Sequence, residues 1–277
     1  MIEVGCTYRT GLLPHVFGHL DLIDVWEHTV DDFVAGAEEG LDAARRFADL
    51  GSVSIHSIGL SVGSAALAAR PDHLRECRDV VRAFGADEIS DHFAYSWVDG
   101  RRLHDFAPLW RVEEQLDLVV ENVARIQDAV GVPLALENVA CLFDPGGDMS
   151  MAEFANEVVR RSGCRLLLDI SNLLINEANG LCATSAELDI LDLDAVTGVH
   201  LAGGEEADGI TWDAHHSPVP QSDLDWLRTL LPRMPNCRTI IIERDGRLQQ
   251  GKEVVDDLRR VHAVVHEHEQ RSALTTI

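Results

Sequence analysis

Short apolar runs that end abruptly on a carboxylate or an imidazole recur along this chain. Leu166-Leu167-Leu168-Asp169 is the clearest, with Ile170-Ser171-Asn172 directly after it. The same ending appears in Ser54-Ile55-His56, Ile89-Ser90-Asp91-His92, Leu134-Ala135-Leu136-Glu137-Asn138, Gly198-Val199-His200 and Ile240-Ile241-Ile242-Glu243. Apolar runs of this length, bounded by polar residues, read as strands buried on both faces. A carboxylate at the end of such a strand needs something to compensate its charge. Six such endings point to one site assembled from strand ends.

Two further strands are expected, over Ile2–Cys6 and over Leu22–Trp26, the second ending at Glu27 and His28. Apolar positions at helical spacing mark Phe33–Leu50 (Phe33, Ala37, Leu41, Ala44, Phe47, Ala48), Pro71–Gly85, Val112–Val130, the stretch after Ser150, Leu224–Leu231 and roughly Lys252–His268. Pro71 suits a first turn, Gly85 and Gly131 suit helix ends, and Ser150 with Glu153 makes a capping-box pattern. Residues 93–108 read as a long loop. The stretch after Asp169 reads as a polar segment leading to a short helix around Ala186–Leu191. Eight strands alternating with helices predict a single-domain α/β fold, a (β/α)8 TIM-type barrel over residues 1–270, with a flexible tail at 271–277. Such barrels typically run to ~250 residues and carry their active sites at the C-terminal ends of the strands, where the polar endings fall. The main alternative, a doubly wound open sheet, gives no reason for polar residues to converge from so many strands.

Composition narrows the function. The formal net charge is −24, and Lys252 is the only lysine. That acidity argues against nucleic-acid binding, which needs a basic footprint. The six cysteines are scattered, with no CxxC pair, so they read as free thiols in a reducing compartment. Met1-Ile2-Glu3-Val4-Gly5 lacks the regions of a signal peptide, and no apolar run approaches the ~20 residues that span a bilayer. A cytoplasmic protein is expected.

The strand ends supply His56, His92, Glu137, Asp169, His200 and Glu243. Nearby loops add Asn172, Asp213 and His215. Four carboxylates brought together repel one another and take up protons unless cations intervene. A catalytic zinc needs only ~3 protein ligands, so this inventory fits two or three ions, with a carboxylate such as Glu137 bridging. All-nitrogen and oxygen ligation suits Fe(II), Mn(II) or Zn(II). Taken singly, each residue has a blander reading. A strand-end His is often a hydrogen-bonded core residue, Asp169 and Asn138 can serve as helix N-caps, and Glu153 belongs to its capping box. His15, His19, His28, His73, His104, His262, His266 and His268 read as surface residues. The joint pattern outweighs the single readings. Other signals are weak: Gly59-Leu60-Ser61-Val62-Gly63 has the spacing of a nucleophile elbow but does not follow its strand directly, and no phosphate-binding glycine loop is present.

In order and spacing, Ser54-Ile55-His56, Leu60-Ser61, Ser90-Asp91-His92, Leu136-Glu137-Asn138, Leu168-Asp169 with Asn172, Val199-His200-Leu201-Ala202-Gly203, Asp213-Ala214-His215 and Ile242-Glu243-Arg244-Asp245 resemble the multinuclear non-haem iron-dependent oxidative enzymes, the family that includes the iron subunit of methanobactin biosynthesis. The resemblance spans roughly residues 2–262. It implies a barrel holding two or three irons, with O2 as co-substrate. It also implies oxidative modification of a ribosomally made precursor peptide, commonly at cysteine, and a small partner protein that recruits the peptide. His56, His92, Glu137, Asp169, Asn172, His200, Asp213, His215 and Glu243 match the family's iron ligands. Asp245, two residues past a ligand, reads as a base or as an outer partner to a ligand, and equally as a solvated loop residue. Departures are Ala214, where Thr is usual, and His216, a second imidazole beside His215. The rival readings are a divalent-metal sugar isomerase or epimerase, an endonuclease of the same barrel type, and a non-catalytic peptide-binding subunit.

Overall fold

The computed structural model describes residues 1–34, 51–65 and 71–275. Eight parallel strands close a barrel: β1 Glu3–Thr7, β2 Val25–Thr29, β3 Ser52–His56, β4 Ile89–His92, β5 Leu134–Glu137, β6 Arg165–Asp169, β7 Val196–Leu201 and β8 Thr239–Ile242. Each strand pairs with its neighbours in sequence, and β8 closes on β1. Among the described residues, helices cover the barrel wall, including Pro71–Phe84, Glu113–Val130, Met151–Ser162, Ile170–Ala178, Gln221–Leu230 and Lys252–Thr275.

Alternation of side chains along each strand divides the residues between two environments. Leu134 and Leu136 of β5, Leu166 and Leu168 of β6, Val199 and Leu201 of β7, and Ile240 and Ile242 of β8 pack outward into the helix layer. The opposite parity turns Glu137, Asp169, His200 and Glu243 into the barrel. The interior is tight: a Cβ on Gly5 would overlap the backbone of Val25. Helix ends follow the expected chemistry. Ser150 and Glu153 form a complete capping box, and Gly131 and Gly163 end their helices in the left-handed region at φ 90° and 70°.

Several expectations are corrected. β2 begins at Val25 and not at Leu22, which lies in a 3-10 turn, so Glu27 and His28 are inside the strand. Residues 93–108 form an antiparallel hairpin, Ala94–Val98 with Arg101–Pro108. Its turn is Asp99-Gly100, both at positive φ, a hairpin signature that reading the stretch as a loop overlooked. The stretch after Asp169 is helical at once. The expected tail is helical through Thr275, since Arg271, Ala273 and Leu274 favour helix and no Gly or Pro interrupts it. His28 is fully buried against Tyr8, Phe33 and Phe84, and His73 is buried against Ser57 and Cys77; neither is a surface residue. Apart from Phe33, the helical stripe expected over 33–50 lies outside the described residues. All six cysteines are free, and no described helix is long and apolar enough to cross a membrane.

Candidate metal centre

The strand ends meet at the C-terminal mouth of the barrel. Register sets their heights: His92 lies opposite Glu137, and Asp169 opposite His200. Asn138 reinforces this. Its side chain donates to the carbonyl of Asp169 at 2.8 Å and accepts from its N–H at 3.0 Å, locking the end of β5 to the end of β6. Asn138 is thus a strand clamp and not a helix cap. Asp169 does cap the following helix, accepting from Asn172 N at 2.7 Å through Oδ1, while Oδ2 has no hydrogen-bond partner.

Glu137 sits at the centre. Its Oε2 is 3.8 Å from His56 Nε2 and 3.5 Å from His92 Nε2; its Oε1 is 3.3 Å from His200 Nδ1. His200 Nδ1 is 3.2 Å from Glu243 Oε2. His215 Nε2 lies 2.6 Å from Asp213 Oδ1 and 3.7 Å from Glu243 Oε2. Two groups of potential ligand atoms result, each lying within 4.8 Å of one another: His56, His92 and Glu137, and Glu137, Asp169, His200 and Glu243. Glu137 belongs to both. Asn172 is buried beside them with Oδ1 unpartnered.

Outer contacts decide which ring nitrogen each imidazole presents. Ser90 Oγ donates to Ile55 O at 3.4 Å, so it accepts from His56 Nδ1 at 2.8 Å and leaves the Nε2 lone pair facing Glu137. Glu27 Oε2 lies 3.1 Å from His200 Nε2 and accepts from it, so Nδ1, which faces Glu137 and Glu243, is the nitrogen that would ligate once a cation replaces its proton. Asp245 Oδ2 lies 3.0 Å from His215 Nδ1, and Asp245 is itself held by Arg9 at 2.8 Å. With a cation on the inner side, the acceptors behind His56, His200 and His215 hold the proton on the outer nitrogen, the usual arrangement around a ligating histidine.

The electrostatics without a cation are unbalanced. Burial, then Glu137, Asp213 and Glu243, push the Asp169 carboxyl well above its usual range. Burial opposes ionisation of Glu243, yet His200 and His215 pull its carboxyl well below the usual range. Burial opposes charge on His200 too, but Glu243, Glu27 and Glu137 hold that imidazole well above its ordinary value. His56 is lowered by burial and by His92. Protonated imidazoles here stand in for positive charge. Glu137 Oε2, Asp169 Oδ2 and Asn172 Oδ1 are buried atoms without hydrogen-bond partners, and they converge on the region where His200 Nδ1, His215 Nε2 and Glu243 Oε2 meet as ion pairs. Buried polar atoms are ordinarily satisfied. This donor set of carboxylates, imidazoles and one amide fits cations.

Most of the expected residues thus meet. Asp213 and His215 lie at the cleft, beyond the short hairpin Glu205–Ala207 with Ile210–Trp212. His216 turns away to Glu205, 2.8 Å from its Oε2. Asp245 lies behind His215. Two residues escaped the sequence reading. Glu27 is 2% exposed and supports His200; its signal was its place beside Trp26, hidden because β2 was expected to end there. Phe106 stacks on His92 with ring centroids 3.9 Å apart, and lay in the supposed loop.

Two cavities adjoin the centre. A cleft of about 80 Å3 is lined by His92, Phe106, Glu137, Asn172, Asp213 and His215. A larger one, about 290 Å3, contains none of the candidate ligands and is mostly apolar. The chemistry belongs to the smaller cleft, because that is where the unsatisfied polar atoms face.

A closed (β/α)8 barrel with a carboxylate–imidazole centre at its mouth defines a class of barrel proteins with a candidate metal centre. A xylose isomerase domain protein from Planctomyces limnophilus shares the fold, with a TM-score of 0.64 and 16% identity over 95% of this chain and 96% of that one. Within the class, the chain belongs to the family of the RiPP precursor modification enzymes MbnB/TglH/ChrH, whose model matches residues 3–266. RiPPs are ribosomally made, post-translationally modified peptides. Similar proteins include a UPF0276 protein of Rhizorhabdus wittichii, 29% identical over 94% of this chain and 95% of that protein. A second, from Chromobacterium violaceum, is 34% identical over 71% of each.

Proposed function

We propose that this protein is a multinuclear non-haem iron enzyme that uses O2 to modify a ribosomally made precursor peptide oxidatively, at a cysteine. The observation that carries the reading is Glu137, one carboxylate shared by two groups of potential ligand atoms, in a chain of a peptide-modifying family. His56, His92 and Glu137 would hold one ion. Glu137, Asp169, His200 and Glu243 would hold the next. Asn172, Asp213 and His215 would complete the set toward the cleft. Bound iron would supply one-electron chemistry with O2.

The chain's own residues do the rest. Ser90, Glu27 and Asp245 keep the imidazoles of His56, His200 and His215 turned inward. Phe106 covers the outer face of His92 and limits water there. The cleft has room for little more than one small side chain, which suits a cysteine presented on a peptide better than a free sugar. Asp245, paired with Arg9 and His215, orients a ligand in this reading. A small partner protein would recruit the peptide.

Metal content and oxidation state of protein purified without oxygen test the proposal, by elemental analysis and Mössbauer spectroscopy. Two or three irons per chain, with O2 consumed on adding a cysteine-containing precursor, is the expected result. Stoichiometric zinc or manganese that iron cannot replace, with activity on a sugar, would overturn it in favour of an isomerase.

A further inference from the structure

The larger cavity has no assigned role, and its walls define what it can hold. It lies between the outer faces of β5 and β6 and the helices Met151–Ser162, Ile170–Ala178 and Thr184–Ile190, with Leu136, Leu166, Leu168, Ala152, Ala155 and Leu173 on its walls. At about 290 Å3 it is near the ~300 Å3 lower end of ligand pockets. Its charged lining residues are already engaged. Arg111 and Asp144 pair at 2.8 Å, and Glu187 accepts from Ala152 N at 2.7 Å. The thiols of Cys141 and Cys182 are pushed up by burial to about 12 and about 11, so they offer no nucleophile at neutral pH. Such a lining binds an uncharged apolar group and does no chemistry on it.

Position ties the cavity to the cleft. Val139 and Cys141 line both, so residues 139–142 are a wall one chain thick, beginning two residues after Glu137. Asn176, fully buried, pins that wall: its Nδ2 donates to Val139 O at 2.9 Å and its Oδ1 accepts from Cys141 N at 2.7 Å. Asn176 lies one turn past Asn172 on the helix that Asp169 caps. Two large apolar side chains then stand exposed in sequence. Leu142 lines the cleft and Phe143 lines the cavity. Trp110, beside Arg111, is exposed too. Large apolar side chains left exposed on the segments that bound a cavity mark a binding surface.

From this continuity we infer that the cavity is a second pocket for the substrate peptide, taking an uncharged aliphatic or aromatic side chain near the residue presented to the cleft. The inference rests on the reading of this protein as a peptide-modifying enzyme. A peptide crossing Leu142 and Phe143 is held at two points, which sets the register of the residue at the metal centre.

The test uses the metal-loaded full chain, the neutral dye N-phenyl-1-naphthylamine, and short synthetic peptides carrying one Cys and either one Leu or one Ser. Ala152→Leu and Ala155→Leu fill the cavity from a helix that tolerates leucine. The wild type is expected to bind the dye saturably, and both variants at least about tenfold more weakly, with metal content and melting temperature retained. Leu-containing peptides displace the dye and Ser-containing ones do not. No saturable dye binding, or equal binding by the filled variants, would show a mere packing gap. Saturable binding that no Leu-containing peptide displaces would assign the cavity to a small molecule and overturn the peptide assignment. These readouts need no turnover. A protein that binds no iron can still pass them, so failure of the oxidative reading is distinguishable from failure of this one.

Discussion

Neutralising Glu137 should remove both groups of ligands at once, and the structure sets the size of the effect. Glu137 is the only member common to the two clusters found among the described residues. An ion that binds only the folded state, at a free concentration of 100 times its Kd, stabilises it by ~2.7 kcal/mol. Two such ions contribute ~5 kcal/mol, and for a chain of this size each kcal/mol moves Tm by ~2 °C. Wild-type protein should therefore melt about 10 °C higher with metal than after chelation. Glu137→Gln keeps the side chain's shape but loses the charge that both groups share. Its metal-dependent shift should fall below about 3 °C, with both ions lost in elemental analysis. The metal-free variant should melt somewhat below metal-free wild type, because the charge it removes supports His200 and His92, and relief of its repulsion of Asp169 offsets this only in part. His56→Ala strips only one group and should retain roughly half the shift. A Glu137→Gln protein that keeps the full metal complement and the full shift would refute the bridging role.

Three further outcomes are expected. Glu27→Gln leaves the fold intact but frees His200 to take the wrong tautomer, so metal affinity in that group should drop by about 10–100-fold; unchanged competition with a chelator would contradict this. His215→Ala should cost metal at the cleft, whereas His216→Ala, at a residue engaged with Glu205, should not; the reverse result in elemental analysis would exchange their roles. Without metal, stability should decline as pH rises above neutrality. His200 and His215 are raised above their ordinary 6.5 in the folded state, so their contribution is complete below 6.5 and lost as pH climbs through the folded values. Asp169, also raised, acts in the same direction. Glu243 is lowered, and its contribution is already complete at neutral pH. The gap between metal-loaded and chelated melting temperatures should thus widen with pH, and a constant gap would contradict the charge balance described above.

Local pattern determined a good deal of this molecule. Leu134–Glu137, Arg165–Asp169 and Val196–Leu201 are strands that contain the expected apolar runs, because a buried parallel strand is an unbroken apolar run that carries its polar residue at or near its end. The capping box at Ser150 and the glycine stops need only their neighbours in sequence, so they were legible too. The candidate ligands could be named, since ligand-type residues at six strand ends are a coincidence that only a barrel mouth explains. The Asp99-Gly100 turn and the N-cap at Asp169 are local signals too, and the cap is enough to start the helix directly behind its strand.

Other features were never local. Glu27 and His200 are 173 residues apart, and Arg9 and Asp245 are 236 apart. Periodicity reports which face of its own element a residue occupies. It does not report which strand lies opposite, at what height, or which ring nitrogen faces inward. Barrel closure and strand register decide those, and with them the sharing of Glu137, the turning of His216 toward Glu205, and the thin wall between cleft and cavity.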